Sequence, residues 1–371
     1  MTAYFDGTGT TPRIRRRTPR TAWHRPLAVC AAAMGALAAF SAVGLLVDGR
    51  TVMGENVWLK PLKFALSFGL YAITLAWMIG SARTRRRTLW WLGTLTAAAF
   101  VLPEISAITF QAARGVRSHF NVGTALDGAV FMVMGGAAYL GWALTLAVGI
   151  VLVLQHRSAR RAVLTRSARS WVPADGAARA MACAVPLGVL VSLAGMSVGY
   201  LMTAPTPDQA QALDAGATLA TIGAHSVGAP DGGAGMPVTG WSTGSGDLRA
   251  AHFVGIHALQ VLPLVALAVK RARLVAVAAF GYSGLTGLLV WQARRGQALL
   301  EPDTTTLLAA GGLAAVVAVT AVAVSVIRPE QRGRLSRDEH GRTPVDDSTD
   351  TEGAAAVRHA PTAAREEVRA S

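Results

Sequence analysis

Of the 371 residues, 52% are hydrophobic and only 15% are charged, and the formal net charge is +14. Such a composition excludes an ordinary soluble domain and fits a chain that crosses a lipid bilayer repeatedly. The positive balance does not mark a nucleic-acid binder, because the arginines fall in short clusters between apolar runs and no basic patch is interleaved with stacking aromatics.

In chain order, an arginine-rich arm (1–25) precedes the first apolar run. "RIRRRTPR" followed by "LAVCAAAMGALAAF" resembles an export signal, but no convincing cleavage site follows, so it reads as a retained first helix. A bilayer core of about 30 Å needs about 20 apolar residues in a helix. Eight runs qualify: 26–47, 61–80, 89–112, 126–154, 180–203, 250–269, 274–291 and 305–327. The fourth is long enough to tilt. The seventh is the shortest and is weakened by Tyr282 and Ser283.

Orientation follows from basic residues in the connecting loops. With the N-terminus inside, all but Arg50, Lys60, Lys63, Arg114, Arg117, Arg249, Arg294 and Arg295 of the 35 basic residues lie on the cytoplasmic side. The expected fold is therefore all-α: a polytopic transmembrane helix bundle of about eight spans (26–327), with both termini cytoplasmic, in a bacterial plasma membrane. Residues 205–247 form a long outer loop rich in Gly, Ala, Thr and Asp, expected to be flexible with one short helix near 208–219. Residues 328–371 mix both charge signs and read as a disordered cytoplasmic tail.

The exceptions to the charge rule gather in polar motifs. In "GENVWLKPLKFALS", Pro61 suits a first helical turn. Lys60 and Lys63 sit at that helix N-terminus, where cations are unfavourable unless an anion binds. The chain has only one other lysine, Lys270, against many arginines, so a compact titratable ammonium is selected here. The plain alternative is that both snorkel to headgroups beside an interfacial Trp58.

In "LPEISAITFQAARGVRSHFN", Glu104 lies roughly 15 Å from the helix end at 1.5 Å per residue. A carboxyl at that depth must be protonated, paired or facing a wet cavity. Gln111 shares its helix face and is expected to line the same cavity. Arg114 and Arg117 suit a helix C-terminus capped by Gly115, and Asp127 fits a capping box with Thr124. His119, between two helices, is a candidate ligand or switch.

In "GDLRAAHFVGIHALQ", Asp247 and Arg249 mark a helix entry. His252 and His257 are five residues apart and point about 140° away from each other. His252 shares a face with Arg249, and His257 with Phe253 and Gln260. Gln292, Arg294 and Arg295 cap the outer end of the seventh run. Gly195 and Gly199 form a small-xxx-small pattern for close helix approach, and Gly135 and Gly136 read the same way.

The strings "WLKPLKFALS", "QAARGVRSHFN" and "GDLRAAHFVGIHALQVLP" resemble motifs of an uncharacterised family of bacterial multi-pass membrane proteins. The resemblance spans roughly residues 54–263 apart from the outer loop. It implies the same threading and draws attention to these residues, without implying a mechanism.

The leading functional expectation is a protein of the bilayer that binds or transports an anionic or amphiphilic small molecule or lipid. Its site residues are Lys60, Lys63, Glu104, Gln111, Arg117, His119, Arg249, His252, His257 and Gln260, clustered because each is costly alone in hydrocarbon. No nucleic-acid partner and no particular cofactor is implied. Cys30 and Cys183 form no metal or disulfide motif, and no CxxC, CxxCH or HExxH occurs. The alternatives are a haem or metal redox protein using His119 with His252 or His257, an enzyme acting on a lipid-linked substrate, and an assembly factor.

Overall fold

The computed structural model describes residues 23–82, 84–165 and 176–326. The basic arm before residue 23 and the tail expected to be disordered lie outside the described residues. Everything discussed below lies in one compact unit ending at Ser325.

The helices are α1 (Arg25–Val47), α2 (Leu59–Gly80), α3 (Arg86–Thr96), α4 (Leu102–Arg114), α5 (Ala125–Thr165), α6 (Gly176–Leu201), α7 (Pro207–Asp214), α8 (Leu248–Ile256), α9 (Ala258–Val269), α10 (Ala272–Arg294) and α11 (Thr304–Val326). Seven uninterrupted or gently broken helical stretches are long and apolar enough to cross a bilayer, and α8 with α9 makes an eighth if that bent pair is one span. The chain is thus an all-α polytopic bundle of the kind its apolar runs dictate.

The spans are not equally buried. Half of the most apolar window of α6 is covered by protein, and none of that of α11 is. Helix α6 packs against α5, α8, α9 and α10, while α1 pairs with α2 and α3 with α5. The start of α1 is fixed by His24. Its Nδ1 accepts from the Leu27 amide at 3.3 Å, and its Nε2 contacts the Trp90 carbonyl at 2.9 Å. Helix α10 is a full span, longer than 274–291, because its two polar residues are satisfied inside the bundle. Ser283 donates to Ala279 O at 2.8 Å and Tyr282 to Val254 O at 2.7 Å.

Two spans are broken, and both breaks have local causes. Between α3 and α4 the chain makes a π-turn (Ala97–Val101), with the Leu102 amide bonded to the Ala97 carbonyl. Pro103 follows directly and cannot donate a backbone hydrogen bond, so the widened turn precedes it. Glu104 is the next residue. The second break, at His257, bends α8 from α9 by 46°. The carbonyls just before this bend find side-chain donors on neighbouring helices: Ser192 of α6 reaches Ile256 O at 3.0 Å, and Tyr282 of α10 reaches Val254 O. In hydrocarbon such carbonyls would otherwise be costly.

Helices α6 and α8 touch backbone to backbone. A Cβ on Gly195 would run into Gly255, and one on Gly199 would lie 3.4 Å from the His252 ring. The small-xxx-small reading of this pair holds. It does not hold for Gly135 and Gly136, which have nothing within 4 Å of a built Cβ.

The end of the bundle carrying the basic exceptions is covered by folded loops. Strands β1 (Thr51–Val52) and β2 (Glu55–Asn56) pair antiparallel around Met53 and Gly54, both at positive φ as a tight two-residue hairpin requires. Trp58 is not a free interfacial anchor: its Nε1 donates to Asp48 at 2.8 Å.

Residues 205–247, expected to be flexible, follow a defined course. Thr206 and Gln209 close a capping box at the start of α7, which ends at Asp214 rather than near residue 219. Asn121 bridges to Thr221, and β3 (Ser226–Val227) pairs with β4 (Gly246–Asp247). Side chains do much of the tying. Asp231 accepts from the His225 and Ser226 amides at 3.0 and 2.8 Å, and Asp247 from the Ser242 amide at 2.8 Å. A Gly-rich segment with few large apolar residues holds its shape when such bonds take its amides.

Candidate functional site

Under these loops, four cations and four carboxylates converge from distant parts of the chain. Three pairs are closed by contact. Lys63 at the start of α2 meets Glu55 of β2 at 3.2 Å. Arg117, after α4, meets Asp231 at 3.4 Å and Thr221 at 3.3 Å. Arg249 grips Asp247, the residue that caps α8, with Nη2 at 2.6 Å and Nε at 3.0 Å.

The fourth pair, Lys60 and Glu104, stays open. Glu104 is 5% exposed. Neither side chain makes a hydrogen bond or ion-pair contact among the described residues, although the Lys60 charge acts on the Glu104 carboxyl. Lys60 also senses the charges of Arg249, Arg117 and Lys63 and, in the opposite sense, of Glu55, and its ammonium lies 6.0 Å from the Phe64 ring centroid. A further donor is unmatched beside them: the buried Arg117 Nε has no hydrogen-bond partner.

Histidines line the same space. His119 and His225 pack on either side of Phe120, with centroids 6.0 and 4.8 Å away. Burial, then the charges of Lys60, His225, His252 and Arg117, hold the His119 ring well below the usual histidine range. His225 is pushed down to about 4 by burial, against the opposing hydrogen bond of its Nδ1 to Asp231 at 2.8 Å. Burial pushes the Asp231 carboxyl up, but its bonds from His225 and the nearby amides outweigh that and hold it below the carboxylate range. The neutral His225 ring therefore donates to an ionised Asp231. His252 contacts the Gly195 carbonyl through Nδ1 at 2.8 Å. A carbonyl only accepts, so in the neutral ring Nδ1 carries the proton and Nε2 is left as an acceptor.

Of the residues expected to form the site, Lys60, Lys63, Glu104, Arg117, His119, Arg249 and His252 come together here. Three do not. Gln111 is fully buried and donates to Asp127 at 2.9 Å, within a network that also joins Arg114 to Asp127 at 2.6 Å. It ties α4 to the first turn of α5 instead of lining a cavity with Glu104. His257 meets Phe253 edge to face at 4.4 Å and contacts Gln260 Oε1 at 3.2 Å, and Gln260 donates to Thr74 of α2 at 3.2 Å. This chain braces the bend between α8 and α9. Arg295 is engaged with Asp303 and sits 4.6 Å from the Trp291 ring, a local arrangement.

Glu55, His225 and Asp231 were not expected in the site. The available signal was a histidine and an aspartate six residues apart in an outer loop without Lys or Arg. Among the described residues no group of three or more His, Cys, Asp or Glu is placed to hold a metal ion. A groove of about 320 Å³ between α10 and α11, along Gly284, Leu288 and Leu313, is apolar and shares no residue with the cluster. It carries no chemical groups, so the charged cluster is the candidate site. Comparison with family models, curated proteins and solved structures yields no match to this chain.

Proposed function

We propose that this integral membrane protein binds an anionic or amphiphilic small molecule between Lys60 and Glu104, in the outer half of a bacterial plasma-membrane bundle. The observation that carries the reading is the open fourth pair. A half-buried ammonium and a buried carboxyl, neither with a hydrogen bond, are costly, and the unmatched Arg117 Nε adds a third unsatisfied group. A molecule presenting an acceptor to Lys60 and Arg117 and a donor to Glu104 would satisfy all three. A simple anion would do so together with a proton on Glu104. His119 and the free Nε2 of His252 supply further contacts.

The test is retention. Protein purified natively in lipid nanodiscs is stripped, and its extract is compared by mass spectrometry with extracts of Lys60→Met and Glu104→Gln. A species present in the wild type and depleted in both variants supports the reading, and identical extracts contradict it. The absorption spectrum of the same sample addresses the haem alternative, for which the geometry leaves His119 and His252 and engages His257 elsewhere.

A further inference from the structure

We propose that the turn at residues 237–241 is a gate over the open Lys60–Glu104 pair, latched shut by Lys63 and Arg249. The inference rests on the reading of that pair as a ligand site and assigns its regulation.

The latch is a main-chain contact made twice. Lys63 Nζ donates to Thr239 O at 3.0 Å, and Arg249 Nη2 donates to the next carbonyl, Gly240 O, at 2.6 Å. The donors come from α2 and α8, so one turn staples two helices. Lys60 lies three residues before Lys63 in the first turn of α2, on the same helix face as that latch residue. Each latch cation also has its own carboxylate, Glu55 or Asp247, and keeps that partner if the turn lifts away. Release therefore strands no charge. Those two carboxylates sit on β2 and on β4, not on the turn itself.

The turn has the backbone of a spring. Thr239 N bonds to Pro237 O at 2.7 Å across Val238, whose φ is +67°. That is a γ-turn of the rare positive-φ kind, built on a β-branched residue for which such a φ is a genuine outlier. Gly240 is also at φ +67°, and a Cβ there would overlap the Glu55 carboxylate. The stem below is regular: Gly235 bridges Ser242, and Met236 N bonds to Trp241 O at 2.8 Å. Trp241 meets Phe253 of α8 edge to face, with centroids 5.8 Å apart. A strained tip on a hydrogen-bonded stem, held down by two side chains, relaxes when those side chains let go.

The test is access. In full-length protein with Cys30→Ala and Cys183→Ala, a reporter thiol is introduced as Lys60→Cys, and nanodisc samples react with a charged, water-soluble methanethiosulfonate. Adding Lys63→Met and Arg249→Met is expected to speed labelling about tenfold or more, the population change that loss of a charge-assisted hydrogen bond produces. Val238→Gly relaxes the tip with both latches intact and is expected to slow labelling about threefold. Slowing cannot come from misfolding, so this variant guards against a trivial result. Hydrogen exchange of peptide 234–245 reports the turn directly. If the turn loosens in the latch variants while reporter labelling stays at the parental rate, or if Val238→Gly speeds labelling, the gate is wrong. If labelling responds as expected but the wild type retains no small molecule, the gate stands and the ligand reading fails.

Discussion

Lys60 and Glu104 lie within each other's electrostatic reach, and no hydrogen bond joins them. Every other cation of the cluster has closed on a carboxylate. In a bundle where ionisable groups are costly, this open pair surrounded by closed ones is the feature on which the proposed ligand site rests.

Removing one member of the pair leaves the other buried with less compensation. Lys60→Met and Glu104→Gln are each expected to lower the melting temperature in detergent, and the double variant to lower it by less than the sum. A coupling of about 1 kcal/mol in that cycle is the expectation for groups that interact without touching. Additive losses would show that the two do not act on each other.

The Gly195–Gly255 contact tests how α8 is held. Gly195→Ala must push α6 from α8, because the obstacle is backbone. A loss of about 1–3 kcal/mol is expected, as for overpacking elsewhere. Gly135→Ala, at a position with open space, is expected to leave stability unchanged or raise it by up to about 1 kcal/mol, since alanine is the better helix former. Thermal melts of the two variants side by side check the contrast.

Gln111 is assigned to the α4–α5 joint. Asp127→Ala removes the carboxylate that accepts from the Thr124 hydroxyl, Gln111 and Arg114 together while keeping the backbone bond to Thr124, and is expected to cost about 2 kcal/mol. Gln111→Ala is expected to lower stability without changing small-molecule retention. Loss of retention at normal stability would return Gln111 to the site.

The outer loops carry a pH dependence. His225 is held down to about 4 by burial, with Asp231, Lys60 and Arg249 as its charged neighbours, and His119 is depressed in the same direction. The unfolded loop binds protons near the ordinary histidine value of about 6.5, and the folded loop does not. Below that value the unfolded state holds more protons, so stability falls as pH drops from about 6.5 toward 4. Melting temperatures across that window check this. His225→Gln is expected to flatten the slope, and an unchanged slope would assign it to other groups.

The spans were legible because 20-residue apolar runs leave a helix few alternatives in a bilayer. The breaks were less so. Pro103 lies inside an uninterrupted apolar run, and only the π-turn before it shows how the ladder adjusts. The outer loop was misread for a physical reason: it is stabilised by Asp231, Asp247 and Gln209 taking backbone amides, and composition does not record such bonds. The cluster was legible residue by residue, since Lys60, Glu104 and His252 are each anomalous in an apolar setting. The partners from the loop, Asp231 and His225, were hidden among ordinary loop residues. Gln111 misled because sharing a helix face with Glu104 does not decide which neighbour meets it.

The most direct measurement is a high-resolution cryo-EM map of the natively purified chain in nanodiscs. The account predicts non-protein density within hydrogen-bonding distance of both Lys60 Nζ and the Glu104 carboxyl, lost in Lys60→Met. A map in which those two side chains contact each other directly, with nothing between them, would contradict it.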